Sequence, residues 1–186
     1  MPYIEVDKNL PGIRSLMAFS PATAEPMGAL ANLLLRSNEG LSMAERELIA
    51  AHVSYLNDCF YCHQSHGEIA ACYLNGDREL VNTVKADYEN APIPDKLKSL
   101  LSIAASVQKG GKYVRPEQID YAKSLGATDK EIHDTVLIAA MFCLFNRYVD
   151  GLAANTPSDL STYPPRARQV AEHGYGSHVF STNQPV

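Results

Sequence analysis

The sequence contains few cysteines and no apolar run long enough to cross a membrane. Its 186 residues include four cysteines, too few for the disulfide scaffold on which small secreted domains depend. The longest apolar run extends over ten residues, from Val136 to Phe145, whereas a transmembrane helix needs about 20. We therefore expect neither a disulfide-stabilised secreted domain nor a membrane-spanning protein.

Positive charge is also scarce. The chain has 16 Lys and Arg residues against 21 Asp and Glu residues, for a net charge of -5, and its basic residues do not cluster. It therefore lacks the positive patch that attracts nucleic acids or anionic membranes. Residues Met1 to Glu5 do not begin a basic segment followed by an apolar run, so we expect no signal peptide. These absences predict a cytoplasmic protein that binds neither nucleic acid nor membrane.

No segment alternates apolar and polar residues in the manner of a half-buried strand. Apolar residues instead recur at the spacing of helices. Two of the helix starts have the sequence of a capping box, Ser42 with Glu45 and Thr128 with Glu131. We therefore predict a single all-α domain over residues 1–186, with about seven helices.

The last thirty residues have a different composition. They contain three groups of turn-forming and extended residues, namely Thr156-Pro157, Tyr163-Pro164-Pro165 and Gly174-Tyr175-Gly176. Such groups favour turns and extended chain over a long helix. We predict an extended tail over residues 156–186, with one helical turn around Arg168 to Ala171. The tail could pack over its own domain or onto a neighbouring subunit, and the sequence leaves both alternatives open.

Reactive side chains are concentrated in the helices predicted over about residues 41–75. Glu47, Cys59, Cys62 and His66 form the pattern Glu-x11-Cys-x-x-Cys-x3-His there. A Cys-x-x-Cys pair can close into a disulfide ring or hold a metal ion. An imidazole one helical turn away can accept or donate the proton that either chemistry needs. This segment is therefore the candidate functional site.

Helix geometry predicts that both thiols and the imidazole share one face. Asp58 is the expected N-cap of the helix that holds them. At about 100° per residue, Cys62 lies about 60° and His66 about 20° from Cys59 around the helix axis. We therefore expect the side chains of Cys62 and His66 to touch.

Glu47 reaches this face only if the chain reverses direction. On one continuous helix the twelve residues from Glu47 to Cys59 would rise about 18 Å. A bend at Asn57-Asp58 instead places Glu47 and His66 at similar heights on antiparallel helices. We therefore predict a relay in which Glu47 orients His66, and His66 ionises Cys62.

These arguments leave the identity of the attacking thiol open. The unpaired backbone donors of the first helical turn stabilise a thiolate, which favours Cys59 as the nucleophile. Proximity to His66 favours Cys62 instead. Spacing does not decide between the two thiols.

Neighbouring residues have simpler interpretations. Cys72 and Cys143 lie in apolar surroundings and are expected to be small core residues. His52 is expected to be a packed polar residue, and His63 a bystander. Tyr61 is expected to point away from the face that carries the thiols.

The motif residues resemble those of the AhpD-like alkylhydroperoxidases in the carboxymuconolactone decarboxylase superfamily. The close match covers about residues 41–75, and the helices over about residues 20–155 are consistent with the family's all-α fold. The segment from Asn146 to Leu152 and the proline-rich tail look most like the subgroup of uncharacterised peroxidase-related enzymes. Some members carry a histidine immediately before the second cysteine, where this chain has Tyr61.

The resemblance implies a cytosolic thiol-dependent peroxidase that reduces hydroperoxides and has no bound cofactor. In the family's scheme Cys62 attacks the peroxide and becomes a sulfenic acid. Cys59 donates a proton and then forms the redox-active Cys59–Cys62 disulfide. His66 and Glu47 match the proton relay. An external dithiol of dihydrolipoyl type would reopen the disulfide, and the protein is expected to be a homo-oligomer, either a trimer or a hexamer.

Three other functions are compatible with parts of the pattern. A general dithiol–disulfide oxidoreductase or redox sensor would use the same cysteines without a peroxide substrate. A metal site would use Cys59, Cys62, His66 and Glu47, although the sequence lacks the second Cys/His pair that structural zinc usually requires. Decarboxylation of a lactone acid is the superfamily's other activity, but the members that perform it lack the paired cysteines.

Overall fold

The structure is a computed structural model that describes residues 1–175. Over this range the chain forms nine α-helices and two short 3₁₀ turns, and it contains no strand. The helices are α1 (Ile13–Phe19), α2 (Pro21–Leu35), α3 (Met43–Leu56), α4 (Phe60–Tyr73), α5 (Arg78–Asp87), α6 (Asp95–Lys109), α7 (Pro116–Ser124), α8 (Asp129–Gly151) and α9 (Tyr163–His173). The 3₁₀ turns are Gly111–Tyr113 and Leu160–Thr162. The all-α prediction is confirmed, and α1 and α9 are the two helices beyond the seven expected.

Helix α3 forms the centre of the fold. Ser42 and Glu45 make the predicted capping box at its start, because the Ser42 N–H donates to Glu45 Oε2 at 2.8 Å and the Glu45 N–H donates to Ser42 Oγ at 3.3 Å. Every residue from Arg46 to Ser54 is buried, since α2, α4, α5, α6 and α8 all pack on this helix. Polar side chains on α3 must therefore find partners inside the protein.

Arg46 is one of these buried polar residues. Its guanidinium pairs with the Asp134 carboxylate at 3.0 Å. It also donates to three backbone carbonyls, at 2.8 Å, 2.5 Å and 2.9 Å, those of Leu34, Glu39 and Leu41. The network joins α3 to α8 and to the end of α2, and it thereby fixes the position of α3 next to Glu47.

The chain reverses direction between α3 and α4 within three residues. Asp58 adopts the left-handed conformation, with φ 57, which Asp and Asn reach more readily than most residues. Cys59, not Asp58, occupies the N-cap position of α4, so the predicted Asp58 cap is wrong. The short connection makes α3 and α4 an antiparallel pair, and this pair has the most extensive contact in the fold.

Asn146 on α8 fixes this reversal. Its Nδ2 donates to Ser54 Oγ at 3.0 Å, and its Oδ1 accepts from Asn57 Nδ2 at 2.8 Å. Because Asn146 is itself buried, these bonds satisfy polar groups that water does not reach. Asn146 is therefore part of a buried network that holds the end of α3.

Helix α8 is a core helix. It begins with the predicted capping box of Thr128 and Glu131 and packs against α3 and α6. Among residues 1–175 it is the one helix whose length and composition would allow it to cross a membrane, and half of its most apolar window is buried inside the protein. Its apolar character is accounted for by that packing.

The C-terminal segment is more helical than the sequence predicts. Helix α9 forms where extended chain is expected, and Pro164 and Pro165 lie in its first turn. Proline is tolerated there because first-turn N–H groups have no partner within the helix. At the other end, Arg36 Nη1 donates to the Ala171 carbonyl at 2.7 Å, and α9 packs along α4. Residues 176–186 of the predicted tail lie outside the described range.

The two cysteines outside the motif differ in burial. Cys143 is partly buried and packs against the main core, in line with its prediction. Cys72 is exposed, so its prediction as a core residue is wrong. Ala70 and Ala71 are the neighbours that face the core, and the turn of about 100° per residue carries Cys72 away from it.

Candidate active site

Glu47 and His66 meet between α3 and α4. His66 Nδ1 lies 2.7 Å from Glu47 Oε2. The Glu47 side chain is fully buried, and that of His66 is 14 % exposed. The reversal of the chain thus brings together the carboxylate and the imidazole that the sequence argument aligned. A buried carboxylate in this position orients the imidazole ring.

Tyr175, after the end of α9, adds a third side chain to this pair. Its hydroxyl donates to Glu47 Oε1 at 2.8 Å and lies 3.2 Å from His66 Nδ1. Burial, followed by the nearby Glu47 carboxylate, raises the pKa of Tyr175 well above its ordinary value, so the phenol remains a neutral donor. Sequence reasoning missed Tyr175, because it is distant in sequence and no local pattern associates it with the motif.

Two aromatic rings pack against the His66 ring. Tyr175 stacks on it with ring centroids 6.0 Å apart, and Phe142 packs against it edge-on at 4.5 Å. Because Nδ1 faces oxygen atoms of Glu47 and Tyr175, the hydrogen-bond pattern assigns the ring proton to Nδ1. Nε2 is then the basic nitrogen.

The two motif thiols differ in their access to a cavity beside α4. Cys62 and His66 both line this cavity, which has a volume of about 90 Å³, and Cys59 does not. Cys62 is 3 % exposed and Cys59 is 0 % exposed. Both cysteines are free thiols. Cys62 is therefore the thiol that a small molecule in the cavity would meet.

The Cys59 thiol holds its proton more tightly than an ordinary cysteine does. A hydrogen bond with the Cys62 thiol, and then burial, raise the pKa of Cys59 well above its ordinary value. Burial raises the pKa of the neighbouring Asp150 carboxyl, and the Cys59 thiol acts in the opposite direction. Cys59 is the N-cap residue of α4, but its side chain makes no capping hydrogen bond and is buried outside the cavity lining.

The walls of the cavity are mostly apolar. Helices α1, α2, α4, α8 and α9 all contribute to them. The apolar lining includes Ile13, Met17, Leu35, Ile69, Phe142, Phe145 and Val170. A cavity of this composition accepts an apolar molecule next to the thiol and the imidazole.

Tyr61 also lines this cavity, which differs from the expectation that it points away from the thiols. Its ring lies 6.0 Å from that of Tyr163 and close against Gly12. A Cβ at position 12 would lie 2.2 Å from the Tyr61 ring, and Gly12 has φ +54, a conformation that glycine adopts readily. Helix α1 follows Gly12 without a side-chain cap, which is why no capping signal predicts it.

His52 and His63 lie outside the cavity. His52 Nδ1 is 3.3 Å from the Lys85 carbonyl oxygen, and His63 packs edge-on against the rings of Tyr55 and Phe60. Burial lowers the pKa of each histidine to about 4, so both are neutral at physiological pH. The part of the chain that the structure describes contains no group of three or more His, Cys, Asp or Glu side chains placed to hold a metal ion.

The sequence matches the model of the carboxymuconolactone decarboxylase family over residues 21–73 and 76–156. These ranges include every helix from α2 to α8 and all four residues of the motif. No curated protein matches the sequence significantly.

Solved structures share the fold. One is the alkylhydroperoxidase AhpD core of an uncharacterised peroxidase-related protein from Ralstonia eutropha, with a TM-score of 0.74 and 26% identity over 81% of this chain and 79% of that chain. An uncharacterised peroxidase-related protein from a Silicibacter species has a TM-score of 0.73 and 28% identity over 83% and 78% of the two chains. A protein of unknown function from Agrobacterium tumefaciens, at 0.67 and 19% over 77% and 97%, supports the fold alone.

Proposed function

The chain belongs to the carboxymuconolactone decarboxylase family, and on this basis we propose that it is a thiol-dependent peroxidase that reduces organic hydroperoxides. The observation that carries the proposal is that Cys62 and His66 line the same apolar cavity. Glu47 and Tyr175 hydrogen-bond to the Nδ1 side of His66, which leaves Nε2 as the base. A hydroperoxide in the cavity would meet a thiol and a base together.

In the first step, His66 accepts the thiol proton of Cys62, and the resulting thiolate attacks the terminal oxygen of the hydroperoxide. A sulfur–oxygen bond forms and the oxygen–oxygen bond breaks. Cys62 is oxidised by two electrons to a sulfenic acid, and the peroxide is reduced to an alkoxide. Cys59, whose raised pKa keeps its proton available until this point, protonates the alkoxide to give the alcohol.

In the second step, the Cys59 thiolate attacks the sulfur of the Cys62 sulfenic acid. The Cys59–Cys62 disulfide forms, and hydroxide leaves with the proton held by His66 to give water. The sum of the two steps converts one hydroperoxide and two thiols into an alcohol, water and a disulfide. His66 and Glu47 return to their initial protonation states.

The cycle closes with an external reductant. We propose a small dithiol of dihydrolipoyl type, whose two thiols are oxidised to a disulfide as the Cys59–Cys62 disulfide is reduced. A cytoplasmic location, where such thiols stay reduced, and assembly into a trimer or hexamer complete the proposal.

The burial of the thiols favours a peroxide over a protein disulfide as the oxidant. Thiol–disulfide exchange requires the attacking sulfur to approach the partner's disulfide directly. Cys62 is 3 % exposed, which admits a small hydroperoxide through the cavity more readily than a folded protein. This supports the peroxidase over a general oxidoreductase.

The proposal is tested by mixing the reduced protein with cumene hydroperoxide and measuring peroxide consumption and thiol loss. We expect the wild type to lose two thiols for each peroxide, because the disulfide is the stable product. We expect Cys62→Ser to consume no peroxide above the protein-free rate. Cys59→Ser should consume one equivalent and accumulate a sulfenic acid at Cys62 that reacts with dimedone. Cys72→Ser, at an exposed cysteine outside the motif, is the matched control.

Two outcomes would refute the proposal. One is a reduced wild-type protein that consumes no hydroperoxide. The other is a Cys62→Ser variant that consumes it as the wild type does. In either case a measured reduction potential for Cys59–Cys62, with partners trapped by the two serine variants, would decide whether the pair exchanges disulfides instead.

A further inference from the structure

Two arginines interrupt the apolar wall of the cavity. Arg14 and Arg166 line the cavity that contains Cys62 and His66. They also line a second cavity of about 60 Å³. Tyr61 lines both cavities as well, so the arginines stand where the two spaces adjoin. Nothing in the proposed peroxide chemistry uses either guanidinium.

Both guanidinium groups have hydrogen-bond donors that find no partner in the described part of the chain. Arg14 Nε and Arg166 Nη2 are buried, and neither donates to an acceptor among residues 1–175. The side-chain partner that residues 1–175 offer Arg166 is Gln169, whose Oε1 accepts from Nη1 at 3.1 Å. Buried donors without partners are costly and uncommon in folded proteins. Such donors beside a cavity indicate a ligand that supplies the missing acceptors.

The charges of the two guanidinium groups are also uncompensated within the described range. Neither arginine forms an ion pair with a carboxylate of the described residues. Burial, followed by repulsion from Arg14, lowers the pKa of Arg166. An anion between them would relieve this repulsion and accept from both donors. Arginine binds carboxylates well because its planar donors match the two carboxylate oxygens.

We propose that Arg14 and Arg166 bind the carboxylate of an organic hydroperoxide whose apolar chain extends through the cavity to Cys62. This inference rests on the proposed peroxidase function and specifies its substrate class. The substrate is reduced at its hydroperoxide group by the two steps given above, and the product is the corresponding hydroxy acid. The carboxylate is bound but is chemically unchanged.

The apolar cavity walls and the unpaired arginine donors together favour a hydroperoxide that carries a carboxylate over neutral or inorganic peroxides. A neutral hydrocarbon hydroperoxide would fill the apolar part and leave the donors of Arg14 and Arg166 unsatisfied. Hydrogen peroxide would use neither feature. A site with buried polar groups discriminates strongly against analogues that leave those groups unpaired. The hydroxyl groups of Tyr61 and Ser65, which line both cavities, are further donors available to the carboxylate.

The test compares hydroperoxyoctanoic acid with its methyl ester in single-turnover oxidation of the reduced protein. No reductant is present, so any preference for the acid over the ester arises from the hydroperoxide and not from an electron donor. We expect the acid to oxidise Cys62 at least about tenfold faster than the ester, because the ester forms no charge-assisted bonds with the arginines. Arg14→Gln and Arg166→Gln should each lower this acid-to-ester ratio by about tenfold, as each removes one such donor group. Arg168→Gln, at an exposed residue of the same helix as Arg166, should leave the ratio unchanged.

Equal rates for acid and ester in the wild type would overturn the inference. So would an acid-to-ester ratio that survives in the variant lacking both arginines. A preference seen only in steady state, with dihydrolipoate but not dihydrolipoamide as reductant, would assign the carboxylate to the electron donor and also overturn it.

A second measurement separates this inference from the peroxidase proposal. If neither hydroperoxide oxidises the wild-type protein, the peroxidase proposal fails, and calorimetric titration with octanoate tests the carboxylate site by itself. The wild type should bind octanoate and not methyl octanoate. Failure of the wild type to bind octanoate overturns the inference, whether or not the arginine variants fold.

Discussion

Glu47 is the residue on which the geometry of the site depends most. It is fully buried, and its two carboxylate oxygens contact Tyr175 and His66 at 2.8 Å and 2.7 Å. A buried carboxylate that lacked these partners would be strongly destabilised. The two contacts therefore fix Glu47, and Glu47 in turn fixes the tautomer and orientation of the imidazole. Tyr175 is a positioning residue, because it affects Cys62 through Glu47 and His66.

Tyr175→Phe should lower the rate constant for peroxide reduction by about tenfold. The change keeps the ring that stacks on His66 and removes the donor to Glu47, and hydrogen bonds to charged groups contribute about 1.5–3 kcal/mol. The measurement is stopped-flow oxidation of the reduced protein by cumene hydroperoxide. Tyr121→Phe, at an exposed tyrosine, provides the control. If Tyr175→Phe reacts at the wild-type rate, the phenol hydroxyl has no positioning role.

At the scale of elements, helix α9 determines where Tyr175 lies. The end of this helix is anchored by Arg36, whose Nη1 donates to the carbonyls of Ala171 at 2.7 Å and Val170 at 3.2 Å. The Tyr175 N–H then donates to Asn32 Oδ1 at 3.0 Å. Both anchors come from α2 or its C-cap. The position of Tyr175 therefore depends on the packing of α9 against distant parts of the chain.

Arg36→Gln should loosen α9 and slow peroxide reduction together. Losing the guanidinium removes one donor from each of the Val170 and Ala171 carbonyls at the end of α9, so local opening becomes easier. We expect amide hydrogen exchange over residues 163–173 to accelerate by about tenfold, the effect of losing one net hydrogen bond to a charged donor. Hydrogen-exchange mass spectrometry measures this, with Arg147→Gln, at an exposed arginine of α8, as the control. Unchanged exchange in α9 would mean that Arg36 does not anchor the helix.

At the scale of the whole molecule, two buried histidines couple folding to pH. Burial lowers the pKa of His52 and of His63 from 6.5 to about 4, whereas the unfolded chain binds protons near the ordinary pKa. The unfolded state therefore holds more protons than the folded state between these values. Stability is complete above pH 6.5 and is lost as the pH falls toward 4. Each histidine accounts for on the order of 3 kcal/mol of this loss.

We expect the free energy of unfolding, measured by urea titration, to fall as the pH is lowered from 6.5 to about 4. His52→Gln and His63→Gln should each reduce the slope of this fall, because each removes one group that titrates only after unfolding. His173→Gln, at an exposed histidine, should keep the wild-type slope. A flat profile across this range in the wild type would contradict the expectation.

Local sequence features predicted the helices whose first backbone N–H groups are capped by side chains close in sequence. The boxes at Ser42 and Thr128 begin helices as expected, since a capping box needs only residues three apart in sequence. The N-cap of α4 was wrongly predicted because Asp58 enters a left-handed conformation in a tight reversal between packed helices. Helix α9 was missed because its prolines are compatible with both an extended chain and a first helical turn.

The order of residues was enough to predict the helical class, the pattern that joins Glu47 to the paired cysteines and His66, and the need for a chain reversal between them. These follow from periodicity and from the fixed rise of a helix, which act over short distances along the chain. The packed fold was needed to show which thiol faces the cavity, that Tyr175 bonds to Glu47, and that Arg14 and Arg166 line the same cavity. These arrangements join residues that are far apart in the sequence, and packing, rather than any local preference, brings them together.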